Sequence, residues 1–264
     1  MPRSAGAFHH EVRMSLRRKG LWVAYGLLFV FYTVLLFSPP PVGEMIEGEV
    51  ISRDQAWTVS GRFLAAVNVF FPVVAGILSA DRMQRDVRLG LRELQASTPL
   101  SRTAYVAAKY FGALVSALLP VFLWVMAIAA AMTVLGRADA AMLFAVPAAF
   151  CAITVPAFAF VVAFSIACPM VMPLPVYQIL FTGYWFWANF IPPSLFPTLN
   201  GTLLTPSGAF ALQGFFGAPA SLAVQGAVPY TSGQALMNLG LLFALTAAAL
   251  VAIERLLARR ERLA

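Results

Sequence analysis

Charge is scarce in this chain, and much of it is gathered in one place. Of 264 residues, 61% are hydrophobic and 11% charged. Yet five arginines (Arg82, Arg85, Arg88, Arg92, Arg102) and three acids (Asp81, Asp86, Glu93) share the stretch 81–102. Groups of this kind recognise a partner through ion pairs and charge-assisted hydrogen bonds. At helical period Met83, Val87, Leu91 and Leu94 fall on one face, with Arg82, Asp86, Arg92 and Glu93 elsewhere, so Arg82–Ser97 is expected to be a short amphipathic helix outside the bilayer. Gly90 weakens it, and Thr98-Pro99 ends it while offering an N-cap and first turn to the next helix. The plainer reading of the same composition is a solvated connector that sets topology.

Other chemistries find no set of residues. The two histidines, His9 and His10, are adjacent, and no Cys/His/carboxylate group has metal-ligand spacing. Cys151 and Cys168 lie on one expected helix, about 25 Å apart at 1.5 Å per residue, too far to bond. Ser207-Gly208 invites comparison with intramembrane serine proteases, but no later histidine exists to serve as base. No G-x-x-x-x-G-K-S/T pattern occurs, so the chain is expected to hydrolyse no ATP and to bind no cofactor itself.

The elements that position the charged stretch are apolar. Charged residues make up about 25% of a soluble domain, so a chain at less than half that is an integral membrane protein. We expect one all-α transmembrane domain over 1–264, with spans at 21–37, 63–80, 104–135, 141–167, 170–190 and 234–253. Of 18 Lys and Arg, 14 fall in residues 1–19, 81–102 and 255–262. An even number of spans with the N-terminus inside puts all three clusters on the cytoplasmic face. The basic stretches flank apolar runs and form no stripe among exposed aromatics, so a nucleic-acid partner is not expected.

Phe8, Val12 and Leu16 recur at i, i+4, i+8, with Arg13, Arg17 and Arg18 off that stripe; this describes either an interfacial helix on the inner leaflet or an ordinary basic flank. Residues 42–58 carry Glu44, Glu47, Glu49 and Asp54 against Arg53, as suits a solvated outer loop. Arg62 is expected at the outer edge of the second span, and Asn68 and Pro72 are expected to bond or kink within the bundle. Tyr184-Trp185-Phe186-Trp187 reads as an interfacial aromatic belt. Residues 191–233 contain no charge, six prolines and six glycines. They are too broken to span and too apolar to be a free loop, so an outer re-entrant hairpin of two short helices is expected.

Gly90, Glu93-Leu94, Thr98-Pro99-Leu100-Ser101-Arg102 and Lys109 resemble the cytoplasmic loop of type-2 ABC transporter permeases, the membrane subunits of many bacterial exporters. The resemblance extends to the basic interfacial start, the six spans and the apolar hairpin before the last span. It implies a coupling helix in 81–102 that docks a separate ABC ATPase, with Arg88, Gly90, Arg92, Glu93, Leu94, Pro99 and Arg102 as docking residues. It also implies ATP-Mg held by that partner, a second permease copy or paralogue, membrane lipid around the assembly, and a bacterial plasma membrane with both termini cytoplasmic. The uncharged turn 168–175 departs from the pattern and offers no second docking contact of its own.

Asn68, Gln178 and Asn189 are the polar candidates for a translocation pathway, and their scarcity favours a lipophilic or amphipathic cargo. Two other classes compete. An ion-coupled carrier usually places ionisable groups at mid-membrane, and the expected span centres hold none. An intramembrane enzyme lacks both a histidine base and an acidic pair.

Overall fold

A computed structural model describes residues 3–36, 50–88, 101–218 and 229–263. All regular elements among them are helices, and the one extended contact is the isolated bridge between Ile51 and Ala138. In chain order these are α1 (Arg3–Leu16), α2 (Lys19–Leu36), α3 (Arg53–Val67), α4 (Phe71–Ser79), α5 (Arg82–Arg88) and α6 (Arg102–Val134). There follow α7 (Met142–Ala149), a π-helical segment (Phe150–Thr154), α8 (Val155–Ala167) and a 3-10 turn (Cys168–Met170). The chain continues with α9 (Leu174–Phe190), α10 (Ala209–Phe216) and α11 (Ser232–Leu263).

Four of these stretches are long and apolar enough to cross a membrane: Lys19–Leu36, Arg102–Val134, Met142–Met170 and Ser232–Arg259. A fifth is counted if α3 and the helix after it are one span bent by 43°. The expected span at 170–190 is helical only over α9, whose 17 residues fall just short of the stretches counted as long enough to cross. The expected span at 63–80 is corrected in two ways. Its helix starts ten residues earlier, where Ser52 and Gln55 form a reciprocal capping box, and it breaks at residues 68–70. Arg62 therefore lies well inside a helix instead of at its edge.

Apolar faces decide the packing. On α2 the buried residues Leu21, Tyr25 and Tyr32 follow the helical repeat, while Leu27, Val30, Phe31 and Val34 face outward. Tyr25, Phe29 and Tyr32 enter a ring cluster with Phe71 and Trp124, Phe29 stacking on Trp124 at 5.0 Å between centroids. The Tyr32 hydroxyl donates to the Ala66 carbonyl at 2.6 Å, which joins α2 to α3. The expected aromatic belt is only partly one: Trp185 is fully buried and its indole donates to the Val69 carbonyl at 3.0 Å.

Within 191–233, α10 packs on α3 and α11, and the part of the expected hairpin in residues 219–228 lies outside the described residues. Asn238 of α11 donates to the Leu203 and Thr205 carbonyls at 2.8 and 3.0 Å, satisfying irregular backbone that lipid cannot.

Candidate functional site

Three helices far apart in the chain meet at one end of the bundle through buried charge. Glu11 of α1 is 3% exposed. Arg82 Nη1 of α5 donates to its Oε1 at 2.8 Å, and Lys109 Nζ of α6 donates to its Oε2 at 2.8 Å. Lys109 Nζ also lies 2.8 Å from Asp86 Oδ2 of α5, and the Tyr105 hydroxyl donates to that same oxygen at 2.7 Å. Two acids and two bases cancel, so the cluster carries no net charge. Arg82 also donates to the Ser15 hydroxyl, which in turn donates to the Glu11 carbonyl at 2.7 Å.

Helical period explains why these groups converge. Glu11 and Ser15, Arg82 and Asp86, and Tyr105 and Lys109 are each i, i+4 pairs on one face of their helix. Gly112, one turn beyond Lys109, lets α1 approach: a Cβ there would stand 2.6 Å from Glu11 Cγ. A buried ion cluster adds little stability over apolar packing, but removing one member strands the others. Its effect is to hold α1, α5 and α6 in one mutual register.

Neighbouring contacts widen this junction into a platform. Arg18 pairs with Asp81 at 3.0 Å at its rim. The Gln84 amide donates to the Pro169 carbonyl, and to that of Met172 at 3.1 Å, tying α5 to the uncharged turn between α8 and α9. Thr103 donates to Glu254 at 2.7 Å, joining the start of α6 to α11. Ser101 caps α6, accepting from Ala104 N at 3.2 Å.

Of the docking residues expected from sequence, Arg88 closes α5 and Arg102 opens α6 as an exposed side chain. Gly90, Arg92, Glu93, Leu94 and Pro99 lie outside the described residues. The N-cap expected at Thr98 is instead Ser101, whose extended backbone and side-chain bond to Ala104 N start the helix at Arg102. The expected helix Arg82–Ser97 is described over Arg82–Arg88. The segment with Phe8, Val12 and Leu16 on one stripe is helical, as α1, and those three are half-buried, but its buried face is the polar one, set against α6.

Each pathway candidate is engaged within the chain. Asn68 is buried and donates to the Ile153 and Ser207 carbonyls at 3.0 and 3.3 Å. Asn189 donates to the Trp185 carbonyl at 2.8 Å, and the Gln178 amide stands 3.5 Å from the Ile77 carbonyl. Asn68 and Asn189 each keep a buried side-chain oxygen with no partner.

Sequence reasoning passed over Glu11, and it named Arg82, Asp86 and Lys109 without pairing them. One signal was available: Glu11 is the sole acid in residues 1–43, and an isolated acid in a basic helix implies a partner. Among the described residues no group of His, Cys, Asp and Glu could hold a metal ion.

A family model described as an ABC-2 family transporter protein matches residues 7–251. No curated protein and no solved structure matches the chain.

Proposed function

We infer, because this chain belongs to the ABC-2 type transporter permease family, that its inner platform is where a separate ATPase subunit acts on the membrane domain. The chain is an integral membrane permease of an ABC transporter, and membership of that family implies an ABC ATPase as partner. The observation that carries the docking reading is the buried cluster of Glu11, Arg82, Asp86 and Lys109. It anchors the stretch beginning at Asp81 to α1 on one side and to the longest membrane helix on the other. A load that reaches Arg82 and Asp86 is shared with both helices.

In this reading α9 completes six spans, the termini are cytoplasmic, and the host membrane is a bacterial plasma membrane. Two such chains, identical or paralogous, enclose the pathway. Transport runs outward, ATP-Mg resides in the partner, and a lipophilic or amphipathic cargo suits a bundle whose few polar groups are mostly bonded internally. Leu94→Asp places a charge in the docking face, at a cost of about 2–5 kcal/mol. The chain should still insert, while copurified ATPase and transport-stimulated hydrolysis fall. Unchanged ATPase recovery and activity would reduce 81–102 to a topogenic loop. Stimulation compared across lipids, lipophilic peptides, sugars and ions tests the cargo class, and a response confined to sugars or ions removes it.

A further inference from the structure

Three membrane helices lose their regular hydrogen-bond ladder, and the fold brings the interruptions together. The second span breaks at residues 68–70, between α3 and α4. The fourth widens to a π-helix at Phe150–Thr154, between α7 and α8. In α6, Pro120 has no N–H to give the Ser116 carbonyl. Asn68 bonds the first two across the gap through the Ile153 carbonyl, and Phe122 and Phe150 meet edge to face at 5.1 Å beside the third. Asn68 also holds the Ser207 carbonyl, next to Gly208, whose φ of +88° and contact with Ile153 suit glycine alone.

On either side of this level the halves pack with each other. Outside it, α3 lies along α7, and α4 lies along α8 inside it. The outer half has its own ties: Ile51 N donates to the Arg137 carbonyl at 3.0 Å, Asp139 N to the Ile51 carbonyl at 2.9 Å, and Thr58 to the Phe216 carbonyl at 3.0 Å. The inner half has the charged cluster of Glu11, Arg82, Asp86 and Lys109. Kinks and π-segments are where helices bend at least cost.

We propose that Asn68 is the positioning residue of a joint between an inner body, driven at the charged platform, and an outer body of α3, α7 and α10 that tilts as one gate. Asn68 sets the closed angle by linking span two, span four and the outer hairpin at a single point. The gate's role in transport rests on the permease reading, but the joint is a property of this chain alone and is tested without the ATPase.

Spin labels are placed on cysteines at Gln55 and Arg85, across the joint, in the full chain with Cys151→Ser and Cys168→Ser, reconstituted in lipid nanodiscs. Control pairs lie within the outer body (Gln55 of α3 and the exposed Phe144 of α7) and within the inner body (Arg13 and Arg85). Asn68→Ala should broaden the distance distribution across the joint and leave both control pairs unchanged. Pro120→Ala, which restores a ladder bond to α6, should narrow it. An unchanged distribution across the joint in both variants overturns the proposal. So does broadening of the control pairs along with it, because that is general loosening and not motion at a joint. Neither result touches the docking test at Leu94, whose failure would in turn leave the joint standing.

Discussion

Glu11 and Lys109 are 98 residues apart in the chain and 2.8 Å apart in the fold. Neither is an obvious partner for the other, since one lies in a short basic helix and the other near the start of a 33-residue membrane helix. Their contact places α1 beneath the bundle as a strut, with its basic side left for the surface.

Glu11→Ala removes the shared acid and leaves Arg82 with Lys109 in a site that excludes water. The expected loss is about 3–5 kcal/mol, read as a lowered midpoint of thermal unfolding in detergent or nanodiscs. Replacing all four charged members with methionine should cost much less than the single change, because no charge is then stranded. A single variant as stable as the parent would mean the cluster is solvated.

Gly112→Val forces a side chain into Glu11 Cγ and Cβ, which an alanine carbon would already meet at 2.6 and 2.8 Å. Overpacking of about 1–3 kcal/mol is expected, along with displacement of α1 and faster proteolysis of its exposed arginines. Gly26→Ala in α2, where the added carbon meets nothing within 4 Å, should be neutral or gain about 0.5–1 kcal/mol in the same assay.

Asn238→Ala strands two loop carbonyls, at Leu203 and Thr205, and should destabilise the loop 199–208 by about 1–3 kcal/mol. The change is read as faster limited proteolysis within 199–208. Asn189→Ala is the contrast, since its amide bonds only the Trp185 carbonyl of its own helix and should leave that segment protected.

Single cysteines at Gly43 and Ala140 should react with an impermeant maleimide on intact cells, and one at Gln95 should not. Ala140 is used because it is exposed, whereas Ala138 is buried in its bridge to Ile51. External labelling at Gln95 would invert the topology and remove the docking surface from the ATPase side.

Membrane residence, the helical class and the family are legible in the amino-acid sequence because each is a sum over neighbours. Apolar runs such as Leu21–Phe37 report their surroundings wherever they pack, and the motif around Glu93-Leu94 and Thr98-Pro99 is contiguous. Helix ends were legible only to within a few residues: the cap of α6 is read at Thr98 and falls at Ser101, three residues on. Pairing was not legible, because the partners of Glu11 are set by which faces α1, α5 and α6 turn toward one another. Nothing within a few residues of Arg82 or Lys109 encodes that choice. The same holds at Asn68: its sequence neighbours suggested a kink, but only packing against Ile153 and Ser207 decided where the freed groups go. A backbone interruption in lipid has to be answered by a side chain or carbonyl from another helix, and which one answers is a property of the assembled bundle.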